Sequence, residues 1–227
     1  MRWLHILKLD MKFQLKYGFY LVYFIVTVLY VALLAVIPKE YRETTAVALI
    51  FSDPAAMGLF FMGAVLLLEK SQRVLNMLAA SPVRLAEYML SKIVSFVIFA
   101  EVVAVILALA AGNDHIFMVM AGTAFSSVIF TLIGMIAAAG TNSLNQFILL
   151  TIPIEIICFV PALLYLFGIR TNGLRFYPLN FCMSMLMGET GMLPVKLFMI
   201  AALIAVLSAA AYRRMNRMFK SMGGMKL

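Results

Sequence analysis

The chain has 227 residues, 65% of them hydrophobic and 12% charged, with a formal net charge of +8 and a mean hydropathy of +1.04. That balance excludes a soluble globular domain. It also argues against a nucleic-acid-binding protein, because the cations fall at the ends of apolar runs. Runs near the ~20 residues that a helix needs to cross a bilayer recur along the chain, and nothing alternates as barrel strands do. The expectation is one all-α, polytopic membrane domain spanning residues 1–227.

The first segment, "RWLHILKLDMKFQLKY", places Arg2, His5, Lys8, Lys12 and Lys16 in one helical sector, with Trp3, Leu4, Leu7, Met11 and Leu15 elsewhere on the wheel. Residues 1–17 are therefore expected to form an amphipathic lead helix lying in the membrane interface. The following apolar run is full span length with no small-residue cleavage site after it, so it reads as an anchor and not as a cleaved signal. Six spans are predicted: Gly18–Ile37, Val47–Leu68, Ile93–Ala111, Ile116–Ala139, Phe147–Gly168 and Val195–Tyr212. Thirteen Lys and Arg lie on the side of the termini and five on the other. By the positive-inside rule, both termini are expected in the cytoplasm.

Residues 69–92 form the longest charge-studded connector. Glu69, Lys70 and Arg73 are charged, Val74, Leu75, Met77 and Leu78 make an apolar stripe, and "ASP" breaks the helix at Ser81 and Pro82, where a second short helix is expected to start and run into the third span. A short amphipathic helix on the membrane surface, with charges on its free face, has the physical character of a docking element.

Three acids fall within or at the edges of spans, where charge is expensive. Asp53 in "SDP" reads as a helix N-cap with Pro54 at the first helical position, near the outer side. Glu101 lies near the middle of the third span. Glu155 lies in the fifth, in "TIPIEIICFVP", where Pro153 and Pro161 suggest a bent helix lining a cavity. Glu101, Glu155, Pro153 and Pro161 are thus the candidates for a substrate path, against the plainer reading of acids packed between helices. His115, beside Asp114, reads as a surface residue in an outer turn.

The Met and Phe content reads mainly as helix packing, with an adaptable cavity as the functional alternative. Cys182 and the methionines around it have soft-ligand chemistry, but their spacing fits no strong metal motif. Cys158 inside a span and Cys182 outside one give no disulfide framework. Small residues in "AGTAFSS", "GMIAAAG" and "AALIAVLSAAA" allow close helix approach. The apolar outer segment, residues 169–194, is expected to dip back into the membrane as a re-entrant cap.

"LLLEKSQRVLNMLAASPVRLAEYMLSKIVS" resembles the loop of the type-2 ABC exporter permeases, in which a span ends in Glu, a short helix follows, and Ser-Pro-basic leads to a Tyr and Lys before the next span. The six-span layout, the lead helix and "YPLNFCMSMLMG" are similar too, so the resemblance covers nearly the whole chain. Through "FSDPAAMGLFFMGAVLLLEKS" it resembles the drug-export permeases of the fluoroquinolone kind. The resemblance implies a permease subunit in the inner membrane that moves a hydrophobic or amphipathic drug, peptide or lipid-like molecule outward. It further implies a second permease subunit, in a homo- or heterodimer, and a separate ABC ATPase that binds ATP and Mg. This chain would then be no enzyme and carry no cofactor of its own. Its lack of a phosphate loop, and of any segment long enough for a nucleotide-binding domain, agrees with that division. The loop at 69–92 would carry the coupling helix, with Glu69, Lys70 and Arg73 making polar contacts to the ATPase and Leu75 and Leu78 anchoring the helix.

Two other classes remain. One is a proton-coupled secondary transporter using Glu101 or Glu155, although no convincing internal repeat of spans is found. The other is a non-transporting membrane scaffold.

Overall fold

The computed structural model describes residues 2–53, 55–79, 83–169, 174 and 176–223; for residues 2, 3, 76, 78, 79 and 221–223 it describes the backbone alone. The helix-breaking Ser81 and Pro82, and Pro54 of the expected cap, lie outside these residues. Every regular element among the described residues is a helix. In chain order they are α1 (Arg2–Lys16), α2 (Phe19–Val36), α3 (Lys39–Ser52), α4 (Met57–Ser71), α5 (Val74–Ala79), α6 (Leu85–Ala111), α7 (Ile116–Ala139), α8 (Leu144–Leu166), α9 (Pro178–Leu186) and α10 (Leu193–Gly223).

Six segments are long and apolar enough to cross a membrane: α2, α3 together with α4, α6, α7, α8 and α10. The chain is a multi-pass membrane protein. Its outer helices turn large apolar side chains outward, among them Phe24, Leu29 and Val36 of α2, Leu149 and Ile157 of α8, and Phe198 and Val206 of α10. In a bilayer such faces meet acyl chains at no cost, which is why the hydrophobic effect does not sort these helices as it would in water.

Three segments depart from the sequence expectation. The second span, expected as one helix from Val47 to Leu68, is interrupted. Its first half starts already at Lys39 and stops at Ser52, with the Asp53 N–H still bonded to the Leu49 carbonyl. The Ala55 N–H then returns to the Ile50 carbonyl, and α4 restarts behind Ala56. Asp53 therefore closes α3 instead of capping α4. Its carboxylate accepts from the Tyr23 hydroxyl at 3.3 Å, with Tyr30 alongside. Both tyrosines lie well inside α2, so Asp53 sits deep between helices and not near the outer surface. Second, the helix expected to start at Pro82 and run into the third span begins at Leu85 as part of α6, so Lys92 lies in a helix continuous with that span. Third, α10 continues past the membrane-length run to Gly223 and carries Arg213, Arg214, Arg217 and Lys220 on a rigid helix.

The centre of the bundle is α7, packed by α4, α6, α9 and α10. Small residues bring α4 and α7 together. A Cβ built on Gly58 would lie 2.0 Å from Thr131 Oγ1, and one on Gly134 would lie 2.7 Å from the Gly58 carbonyl oxygen and 2.8 Å from that of Leu59. Next along α4, Gly63 leaves room for the Phe147 ring of α8, 2.0 Å from where a Cβ would stand. On the face opposite the chain ends, α9 is buried from Leu179 to Leu186, so Cys182, Met183 and Met185 are used in packing.

Candidate functional site

The face of the bundle that carries the chain ends holds a buried charge bridge. Tyr88, Ser91, Lys92 and Ser95 stand at i, i+3, i+4 and i+7 on α6, so they share one helical stripe, and each is 2% exposed or less. On α1, the inward polar residues are Asp10 and Gln14, one turn apart and also buried. Glu69 arrives from the last turn of α4 and is 5% exposed.

These groups satisfy one another. Lys92 Nζ pairs with Asp10 at 2.5 Å and with the Glu69 carboxylate. The Ser91 hydroxyl donates to Asp10, the Tyr88 hydroxyl donates to Glu69 at 2.5 Å, and Gln14 Nε2 donates to Ser95 Oγ at 2.9 Å. The Phe13 and Tyr88 rings flank the ammonium at 5.8 and 5.2 Å, a distance at which ring faces attract a cation. Two carboxylates and one ammonium leave a single net negative charge, on which the two hydroxyls converge. Removing such ions from water costs several kcal/mol each, and this arrangement repays that cost only because every member is bonded. Phe219 of α10 packs edge-on against Tyr88. The bridge thus ties α1, α4 and α6 together, with α10 against it.

The residues expected at a docking surface in 69–92 divide into two groups. Glu69, expected to contact a partner, points inward, and its carboxylate is bonded to Lys92 and Tyr88 inside the chain. Lys70 donates to the Thr141 carbonyl at 3.0 Å and to Asn142 Oδ1 at 2.8 Å, so it grips the connection between α7 and α8. Leu75 is 1% exposed and holds α5 on α4 and α10; the Leu78 side chain lies outside the described residues. Outward-facing are Gln72, Arg73 and Met77. Arg73 stands at φ 57 in the turn between α4 and α5, a left-handed conformation that non-glycine residues seldom adopt. Gln72 donates to the Tyr17 hydroxyl at 2.7 Å, a second link from the end of α1 to this turn.

The residues expected along a path are not brought together. Glu101 sits on α6, which packs on α1, α2, α3 and α7, whereas Glu155 sits on α8, which packs mainly on α9, α4 and α7. Both Glu101 carboxylate oxygens are buried and make no hydrogen bond among the described residues. Glu155 is half-buried, one turn from Thr151. α8 runs as one helix through Pro153 and Pro161. Proline 161 cannot donate to the carbonyl four residues earlier, and the Tyr177 hydroxyl supplies that bond, 2.8 Å from the Ile157 oxygen. Beside it, Ile129, Ile133, Cys158, Tyr177, Pro178, Leu179, Leu203 and Leu207 border an apolar cavity of about 130 Å³. None of Glu101, Pro153, Glu155 and Pro161 borders it.

The Tyr177 contact yields a direct test. Tyr177→Phe is expected to cost about 1 kcal/mol in thermal unfolding in mild detergent. On a Pro161→Ala background, where the helix supplies its own donor, the same change should cost close to nothing. Equal losses on both backgrounds would show that the hydroxyl does not serve the proline.

Sequence reasoning missed the bridge. The signal was present as the polar stripe in "YMLSKIVS" and the Asp10 and Gln14 pair, but a tally of cations by membrane side counts Lys92 as a surface charge.

A family model for the fluoroquinolones export permease proteins matches residues 1–219. Two curated relatives, each named fluoroquinolones export permease protein, come from Mycobacterium tuberculosis strains CDC 1551 / Oshkosh and ATCC 25618 / H37Rv. Each is 24% identical to this chain over 162 residues, covering 70% of this chain and 68% of the relative. With six membrane-length helices and a family match over nearly its whole length, the chain belongs to the fluoroquinolone export permease family, as a membrane-embedded permease subunit of a transporter.

Proposed function

We propose that the chain is the transmembrane subunit of an ATP-binding cassette exporter, working as a dimer in the inner membrane with both termini cytoplasmic. A separate ATPase holds ATP and Mg, and its closure drives a hydrophobic or amphipathic molecule outward. The relatives' names favour a drug of the fluoroquinolone class as that molecule. The observation that carries this reading is the build of residues 69–92. A short helix, α5, is pinned to the body through Leu75, while Gln72, Arg73 and Met77 face outward beside a charge bridge that ties three helices together. A rigid mount with an exposed tip is what a coupling element requires, because a push on the tip must move spans instead of bending a loop.

The tip residues define the test. In affinity purification of the tagged permease from native membrane in mild detergent, an ATPase bearing a phosphate loop is expected in stoichiometric amount. Arg73→Glu with Met77→Asp should lower its recovery at least tenfold and leave insertion and melting unchanged. Leu75→Asp is unsuitable for this purpose, since it would unseat α5 from its own chain. Recovery of the permease alone, or an undiminished ATPase with the double variant, would overturn the docking assignment.

The unbonded Glu101 carboxylate favours a second reading, a proton-coupled carrier. An intramembrane acid without a partner is the kind of group that binds and releases protons in such proteins.

A further inference from the structure

We propose that the exposed face of α1 is a binding surface for anionic phospholipid, and that the Asp10–Lys92–Glu69 bridge transmits its occupancy to the turn before α5.

The helix carries three distinct faces. Asp10 and Gln14 point into the protein. Lys8, Lys12 and Lys16, at i, i+4 and i+8, form one exposed stripe together with His5. None of the three lysines forms an ion pair among the described residues, in contrast to Lys92. Leu4 and Leu15 flank the stripe, 38% and 66% exposed, and Leu9 borders its other side at 64%. Apolar residues that flank an unpaired basic stripe suit a bilayer surface, where phosphates meet the cations and acyl chains meet the leucines. An acidic protein surface would leave the leucines in water.

Position supports the same occupant. Lys16 ends α1, Gly18 turns the chain at φ 76, and the membrane-length helix α2 starts at Phe19. The C-terminal end of α1 is therefore held where a span enters the bilayer, at headgroup level. Each lysine near an anionic surface contributes roughly a fivefold preference, so the three together give roughly a hundredfold, which salt should reduce.

The route inward is continuous. Asp10 bonds Lys92 and Ser91, Lys92 bonds Glu69, and Glu69 is in the last turn of α4, four residues before Arg73. Gln14 bonds Ser95, and Tyr17 bonds Gln72. Lipid that seats α1 thereby bears on the mount of α5. The significance of this relay rests on the coupling role proposed for α5, but lipid binding does not, and the test below needs no ATPase.

Amide hydrogen exchange is measured on the full chain in nanodiscs of phosphatidylcholine alone and of phosphatidylcholine mixed with phosphatidylglycerol. Exchange in residues 4–16 is expected to slow at least several-fold in the mixed lipid, and exchange in residues 72–77 to slow with it. Lys8→Gln, Lys12→Gln and Lys16→Gln together should abolish both responses. Asp10→Asn should keep the first and lose the second. If Asp10→Asn does not fold, the charge-free triple variant Asp10→Asn, Glu69→Gln and Lys92→Met, which removes the whole bridge, carries that arm with the same expectation. An α1 that exchanges alike in both lipids, or a triple variant that responds like wild type, overturns the lipid surface. A loop that ignores the lipid, or that follows it equally in the uncoupled variants, overturns the relay.

Discussion

Lys92→Met is expected to destabilise the protein by about 3–5 kcal/mol, because it leaves the Asp10 and Glu69 carboxylates facing each other in a buried site without their shared cation. Lys92 is 1% exposed, and water cannot reach the site to relieve the repulsion. The change should lower the midpoint of thermal unfolding in mild detergent and reduce the amount of protein inserted. A triple variant, Asp10→Asn, Glu69→Gln and Lys92→Met, removes every formal charge and keeps the volumes. Replacing a whole buried ion cluster is often neutral where removing one member is not, so the triple variant should recover most of the loss. A single variant that melts with wild type would mean that the cluster is hydrated and open. A triple variant no better than the single would mean that the geometry of the bonds, and not their charge balance, holds the three helices.

The second large effect is expected at the α4–α7 seam. Alanine in place of a helical glycine normally gains up to ~1 kcal/mol from backbone entropy. At Gly134 the new methyl would press on two carbonyl oxygens of α4, at 2.7 and 2.8 Å. No rotamer relieves a contact with backbone, so the helices must separate, and overpacking of this kind costs about 1–3 kcal/mol. Gly134→Ala is thus expected to lower the melting temperature despite the gain in helix propensity. Gly58→Ala should do the same, with partial rescue by Thr131→Ala, which removes the 2.0 Å contact with Oγ1 but leaves the Thr131 Cα at 2.9 Å. Gly191→Ala is the control, since a Cβ there meets nothing within 4 Å. Equal melting of the Gly134 and Gly191 variants would place α4 and α7 farther apart than described here.

How far the fold was legible depends on what bounds each run. α2 and α7 fall within a residue or so of their predicted limits because Gly18, Pro38, the Gly-Asn-Asp turn at 112–114 and Gly140 punctuate long apolar runs. The interruption of the second span was legible only in part, as a helix terminus at "SDP". The turn there contains Ala55 and Ala56, good helix formers whose local preference would have continued the helix. Asp53 was recognised as a helix-terminus residue but assigned to the wrong helix. "SDP" signals a start, while the Leu49 and Ile50 carbonyls are still closing α3 across it.

The candidate site shows the same division. The loop helix and its apolar stripe were visible in residues 69–92, since both are local periodicities. The inward turn of Glu69 was not, because its partner Lys92 is 23 residues away and Asp10 lies 82 residues from Lys92. Only the folded bundle brings three charges from three helices to one point. Similarly, the two prolines of α8 were visible in the sequence, but the donor that meets one of them, Tyr177, lies outside that span. Long-range satisfaction of polar groups is the part of a membrane fold that periodicity does not encode.

The energy source of transport separates the two readings. Inside-out vesicles containing the permease and its co-purifying ATPase are supplied with a fluorescent amphipathic drug, with ATP and a pH gradient applied separately. An ATP-driven exporter accumulates the drug with ATP in the presence of a protonophore, and loses that accumulation when Arg73→Glu and Met77→Asp are introduced together. Accumulation driven by the pH gradient without ATP, and abolished by Glu101→Gln, would contradict that reading and identify a proton-coupled carrier instead.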